Sequence, residues 1–185
     1  MNSNEEKTLI TLAQNGNIEA FEKLMEKYQK QIYNLALFKT QDTYLAEEIA
    51  QETIIRIYKN IKKFKFKSSF YTWIYRITYN ILNDLTKKFK DISDFSIDDP
   101  SIAETSQVDS TEQELHQQQL SEKLRYLISK IPHKFQFVLI LSDIENKNYQ
   151  EIAEILGVSI GTVKSRLFRA RKMLKDLIIK EKIQI

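Results

Sequence analysis

The stretch Tyr149-Gln-Glu-Ile-Ala-Glu-Ile-Leu-Gly-Val-Ser-Ile-Gly-Thr-Val163 has the spacing of a helix-turn-helix. Ala153 is small where two helices must cross, Gly157 permits a left-handed turn four residues later, and Val163 follows at the position that fills the core between them. Asn148 with Glu151 forms a capping-box pattern for the first helix, and Ser159 stands at the cap of the second. A helical hairpin with no ligand could share this turn. The wheel of the second helix argues against that reading. Val163, Leu167, Ala170, Leu174 and Leu177 share one stripe at about 100° per residue, the side of the core. The opposite side carries Gly161, Lys164, Ser165, Phe168, Arg169, Lys172 and Lys175, with no acid before Asp176.

Such a face fits a DNA major groove. Arg169 or Lys164 can donate to guanine, Ser165 can serve either strand, and Phe168 can meet a thymine methyl. Gly161 lets the helix N-terminus, with its free backbone donors, approach a phosphate closely. Arg166 and Arg171 flank the core stripe where contacts to phosphate orient a domain without reading sequence.

Outward from this segment the chain reads as all-α. Three Gly and two Pro in 185 residues leave few turns, and almost no alternating pattern of strands occurs. Helices are expected from near Asn4 to Gly16, from Asn17 through Leu35, from Asp42 to about Ile61, from Ser69 to Lys87, and then over 111–130, 134–144, 149–156 and 160–179. Charge divides the chain further. Residues 1–90 carry 15 Lys/Arg against 10 Asp/Glu, residues 91–122 carry none against 9, and residues 123–185 carry 13 against 6. Two basic blocks around a purely acidic one suggest two small helical domains, 1–90 and 112–185, joined by a flexible acidic linker, 91–111, that contains Pro100. One domain with an acidic surface loop is the plainer alternative.

The first domain offers two further surfaces. Its fourth helix sets Phe70, Trp73, Ile74, Ile77, Ile81 and Leu85 on one side, leaving Thr72, Tyr75, Arg76, Tyr79, Asn83 and Lys87 on the other, with Asn80 at the edge. The preceding loop, Lys62-Lys-Phe-Lys-Phe-Lys67, alternates cations with Phe64 and Phe66 around Lys65. That mixture suits a single strand of DNA, since rings stack on exposed bases while cations follow phosphates, though scattered surface Tyr and a solvated charge run would look alike. The third helix differs. Ala46, Ile49, Ala50, Thr53, Ile57 and Ile61 form its core stripe, leaving Tyr44, Glu48, Gln51, Glu52 and Ile55 outside. An acidic patch around an exposed Ile repels DNA and suits a basic protein partner; a plain solvated face is the alternative.

The strings Leu45-Ala-Glu-Glu-Ile-Ala-Gln-Glu-Thr53, Phe70-Tyr-Thr-Trp-Ile-Tyr-Arg-Ile-Thr-Tyr-Asn80 and Gly161-Thr-Val-Lys-Ser-Arg-Leu-Phe-Arg-Ala-Arg171, together with the Tyr149 segment, resemble a bacterial sigma factor of the extracytoplasmic-function group. The resemblance covers both domains in order. It implies a dissociable subunit that binds core RNA polymerase and gives it promoter choice, reading the minus-thirty-five duplex and capturing the melted minus-ten strand. Glu48, Gln51, Glu52 and Ile55 would then dock on polymerase. Phe64, Lys65, Phe66, Tyr75, Arg76, Tyr79, Asn80 and Lys87 would serve the minus-ten element. Gly161, Lys164, Ser165, Phe168, Arg169, Arg166, Arg171 and Lys172 would serve the minus-thirty-five element. An anti-sigma factor is a usual further partner of this group. In the loop, Phe66 and Lys67 follow Lys65 where the family often has Gly or an acid.

Other classes find little support. No Cys is present, His116 and His133 lack metal-ligand spacing, and no Gly-rich phosphate loop occurs, so neither an enzyme, a metal site nor a cofactor is expected. The longest apolar run, Phe137 to Leu141, is far short of the ~20 residues that a bilayer span needs, and a cytoplasmic protein without membrane insertion is expected. A DNA-binding regulator that acts without polymerase is the runner-up.

Overall fold

The computed structural model describes residues 3–92 and 112–181, with side chains placed for 3–85 and 119–181. Among these residues there is no strand. Eight α-helices follow one another: α1 Ser3–Gln14, α2 Ile18–Thr40, α3 Thr43–Asn60, α4 Phe70–Ile92, α5 Glu112–Ser129, α6 His133–Leu139, α7 Tyr149–Leu156 and α8 Ile160–Lys180. A 3-10 turn, Ile61–Lys63, follows α3, and a π turn, Ile140–Ile144, follows α6. The chain divides into two compact units, Met1–Asp98 and Asp99–Ile185. Most of the expected linker, residues 93–111 with Pro100, lies outside the described residues.

In the first unit α2 packs on α1, α3 and α4, and α3 packs on α4. The periodic apolar residues of α2, Phe21, Leu24, Met25, Tyr28, Ile32 and Leu35, are all buried, as their spacing predicts. Local chemistry sets the boundaries. Asn17 accepts from the Ala20 N–H at 2.8 Å and Asp42 from the Leu45 N–H at 2.9 Å, so each satisfies an orphan donor at a helix start. Gln41 closes α2 in the left-handed region at φ 55, and its amide offsets that strain by donating to the carbonyls of Leu37 and Phe38. Gln14, at the end of α1, donates to the carbonyls of Ile61 (2.9 Å) and Phe64 (2.8 Å) and so fixes the loop that leads to α4. A polar cluster ties α1 to α2: Lys27 at 2.7 Å and the Tyr28 hydroxyl both donate to Glu6. Burial alone would raise the Glu6 carboxyl, but these hydrogen bonds outweigh it and hold the group below the ordinary carboxylate range.

Helix α4 departs from the sequence reading in two ways. It continues past Lys87 to Ile92, two residues into the expected linker, as the apolar spacing of Leu85, Phe89 and Ile92 in the sequence allows. Its buried arc is Phe70, Tyr71, Thr72, Ile74, Tyr75, Thr78, Ile81 and Leu82. On the helical wheel this arc is turned by roughly 70° from the expected stripe, because α4 packs against both α2 and α3. Trp73 and Ile77, expected in the core, sit at its rim.

In the second unit α6 and α7 pack on α8, and α5 reaches both α6 and α8. The whole run from Phe135 to Leu141 is buried, including Gln136, whose amide donates to the carbonyls of Ile128 (2.9 Å) and Ser129 (3.0 Å) and satisfies the end of α5. The capping box Asn148/Glu151 forms, Gly157 turns the chain at φ 65, and Ser159 caps α8 through the Thr162 N–H. Val163, Leu167 and Ala170 are buried, whereas Leu174 and Leu177 are only half-buried, since α7 ends before it can cover the last turns of α8. His133 is a half-buried ring against Phe137, edge to face at 5.1 Å. The side chain of His116 lies outside the described residues.

Candidate nucleic-acid and partner interfaces

Helix α8 stands on the cap of Ser159 with its polar side turned outward. Gly161, Lys164, Ser165, Phe168, Arg169 and Lys172 are all exposed, and Arg166 is half-exposed on the flank. Phe168 is 74% exposed in a face of cations, a position that burial in the protein does not explain. Arg166, Arg169, Lys172 and Lys175 form no ion pair among the described residues. A Cβ added at Gly161 would meet only the Ser159 hydroxyl oxygen at 3.8 Å, so packing does not require glycine there. The open N-terminus of α8 leaves room for a phosphate.

Two side chains outside α8 shape this face, and sequence spacing could not reveal either. Tyr149, at the start of α7, lies with its ring 5.9 Å below the Lys164 ammonium and steadies that cation. Arg171, read from the sequence as a phosphate contact, is taken up by Asp143 of the π turn, with Nε to Oδ2 at 2.9 Å and Nη2 to Oδ1 at 2.7 Å. Burial would raise the Asp143 carboxyl, but the Arg171 and Ser142 hydrogen bonds hold it below the ordinary range, and Asp143 in turn raises the Arg171 guanidinium.

The single-strand surface is smaller than the sequence suggested. Tyr75 is wholly buried, its ring stacked on Tyr71 at 4.0 Å, and Phe64 is 5% exposed; neither can stack on a base as the structure stands. Both were displaced by the rotated arc of α4 and by the way Gln14 holds the loop carbonyl of Phe64. Lys65, Phe66, Arg76 and Asn80 are exposed and Tyr79 is half-buried. The Lys87 side chain lies outside the described residues. Phe64 instead forms the floor of an aromatic cluster, with ring centres 4.9 Å from Phe66, 5.2 Å from Phe70 and 5.3 Å from Trp73. Phe66 stands on that floor, 45% exposed, and its φ of 56 lies in the left-handed region. That conformation favours Gly, which the resembling family often has beside the basic residue of the loop; here a ring is held there instead. Trp73, assigned to the core by its spacing, is half-buried and belongs to the same cluster through Phe64 and Phe70.

On α3 the stripe Ala46, Ile49, Ala50, Thr53 and Ile57 is buried, and Glu48, Gln51 and Ile55 are exposed. Glu52 is paired with Arg56 at 2.6 Å one turn on, so of the two it is Glu48 whose carboxylate has no ion pair among the described residues. Tyr58, missed by the sequence reading, continues the line Tyr44, Glu48, Gln51, Ile55 at helical spacing; it is exposed, with its ring edge against Phe21 at 5.0 Å. The face therefore combines two rings, an Ile and the Glu48 carboxylate, with the exposed Glu47 at its border.

Comparison with known proteins bears on both units. Residues 24–89 match the family model described as Sigma-70 region 2, and residues 121–174 match that of Sigma-70, region 4. The chain is 34% identical over 185 residues to the ECF RNA polymerase sigma factor SigW of Bacillus subtilis, covering 92% of this chain and 97% of that one. It is 30% identical over 175 residues to the RNA polymerase sigma-H factor of Pseudomonas aeruginosa, covering 91% of each. Among solved structures, CnrH in complex with the cytosolic domain of CnrY is similar at a TM-score of 0.70 and 21% identity, covering 95% of this chain and 98% of that one. The sigma factor RpoE of Bartonella quintana, in complex with the anti-sigma factor NepR, is similar at 0.71 and 20%, covering 85% and 96%. These two structures support the fold.

Proposed function

We propose, for a chain that belongs to the extracytoplasmic-function group of RNA polymerase sigma factors, a division of labour among three surfaces. The chain is a sigma subunit that directs promoter-specific transcription initiation. In our reading the α3 face of Glu48, Gln51, Glu52, Ile55 and Tyr58 docks on core polymerase, because an acid set among apolar groups favours a basic protein surface and disfavours DNA. Lys65, Phe66, Trp73, Arg76, Tyr79 and Asn80 capture the melted minus-ten strand, with Lys87 further along the same helix. Lys164, Ser165, Phe168 and Arg169 read the minus-thirty-five duplex, while Gly161, Arg166 and Lys172 set the domain on phosphates. Residues 91–111 tether the minus-ten domain, 1–90, to the minus-thirty-five domain, 112–185. The protein works in the cytoplasm, where its polymerase is, and supplies binding rather than catalysis. No helix among the described residues is long and apolar enough to cross a membrane. An anti-sigma factor of the kind seated on the structural relatives would compete for these surfaces.

The observation that carries this reading most is Phe168, an exposed ring in the middle of a cationic recognition face. The corresponding test is Arg169→Ala in holoenzyme. Loss of one base-edge contact is expected to relax preference at one or two base pairs of the upstream element by ~1 to 3 kcal/mol, leaving other positions unchanged. Competition binding against single-base variants of the promoter measures this. A uniform loss across all variants would remove Arg169 from the readers.

A further inference from the structure

Lys164, Arg171 and Lys175 fall on one line of α8, seven and four residues apart, with Arg171 at the border of the outward face that Lys164 and Lys175 share. Such a row offers three cations to a DNA strand. The middle one is taken: the Asp143 carboxylate receives Arg171 through two parallel hydrogen bonds, at 2.7 and 2.9 Å, the geometry a guanidinium otherwise makes with phosphate. Both side chains are exposed, but the backbone beneath the carboxylate is fixed. Asp143 sits in the π turn Ile140–Ile144, which is held by the Glu145 N–H to the Ile140 carbonyl at 2.9 Å and the Lys147 N–H to the Leu141 carbonyl at 2.8 Å, while Ile140 and Leu141 are buried. The backbone that carries the carboxylate is therefore anchored in the core, and the opposing guanidinium rises from a helix whose Leu167 and Ala170 are buried.

We infer that Asp143 acts as an internal substitute for a DNA phosphate: it occupies Arg171, removes that cation from the non-specific contacts of α8, and fixes the helix against the π turn while Arg169 and Lys164 read bases. This rests on the proposal that α8 binds duplex. Each phosphate neutralised by a protein cation adds about 0.9 to the slope of log affinity against log salt, so an occupied Arg171 contributes almost nothing to it and a released one contributes a full step. The advantage is specificity. A cation that binds any phosphate raises affinity for promoter and random duplex alike, so restraining it keeps the ratio between them high.

The test uses full-length protein assembled with core polymerase and a fluorescent upstream-element duplex, titrated with salt at a temperature that keeps the duplex closed. Asp143→Ala is expected to steepen the slope by about 0.9, making the affinity lost between 50 and 200 mM salt about 3.5-fold larger, and to tighten random duplex in the same proportion. Asp143→Ala with Arg171→Ala, which removes both charges of the pair, should return the slope to that of the original protein. A merely structural ion pair would change melting temperature and not the slope. An unchanged slope in Asp143→Ala, or a slope in the double variant about 0.9 below that of the original protein, overturns the inference. Lys172→Ala serves as the reference, expected to lower the slope by about 0.9. If it does not, the duplex-reading assignment of α8 fails and takes this inference with it.

Discussion

Reversing Glu48 and Glu52 to Lys is expected to abolish binding to core polymerase while leaving the helical content of the chain intact. Both residues lie on the outer side of α3, away from the buried stripe of Ala46, Ile49, Ala50, Thr53 and Ile57, so no core contact is lost. Within the helix the only ion pair broken is Glu52 with Arg56, and a like-charged pair one turn apart costs only about 0.2 to 0.5 kcal/mol. Across an interface, like-charge juxtaposition costs several kcal/mol, which is enough to remove a complex of ordinary affinity. Glu48→Lys alone should account for most of the loss, because Glu52 is already paired with Arg56 whereas the Glu48 carboxylate has no ion pair among the described residues. Co-purification with core polymerase, alongside circular dichroism of the free variant, checks both halves. Retained binding would assign the α3 face to solvent.

Phe64→Ala and Phe66→Ala are expected to fail in different ways, although the two residues look equivalent in the alternating loop. Phe64 is 5% exposed beneath Phe66, Phe70 and Trp73, so its truncation leaves a cavity and should destabilise the first unit by about 3 to 5 kcal/mol. For a unit of this size that lowers the melting temperature by more than about 10 °C. Phe66 is exposed on top of the same cluster, and its truncation should change stability by less than about 1 kcal/mol. What it removes is a ring for a base to stack on, worth ~1 to 3 kcal/mol, gained only after the base has left the duplex. Permanganate reactivity of promoter thymines should therefore fall with Phe66→Ala at unchanged closed-complex formation. Normal opening by Phe66→Ala would leave the ring a structural part of the loop.

The contrast between these two rings shows where sequence spacing succeeds and where it stops. Helix-turn-helix geometry was legible because its determinants are local: Asn148 with Glu151, Gly157 and Ser159 each act within four residues of their partners. The polar face of α8 was legible for the same reason, since only one partner side of the helix is apolar. Helix α4 was not. It has two packing partners, so its buried arc is broad, and Tyr75 and Thr72 enter it although their polar atoms made them look like surface residues. The aromatic floor under Phe66 depends on Gln14 gripping the Ile61 and Phe64 carbonyls from about fifty residues away, which no period records. Asp143 escaped notice likewise, lying 28 residues from Arg171 and on another element.

The proposed function requires one chain to couple polymerase to two DNA sites, an upstream duplex and a downstream melted strand. Mapping transcript 5′ ends in the chain's own host, with and without overproduction, measures this directly. New start sites should share two sequence blocks at a fixed separation, with Arg169→Ala altering preference only in the upstream block and Phe66→Ala reducing initiation without altering it. Overproduction that yields no new start sites, or new starts that share a single block and survive Glu48→Lys with Glu52→Lys, would contradict it.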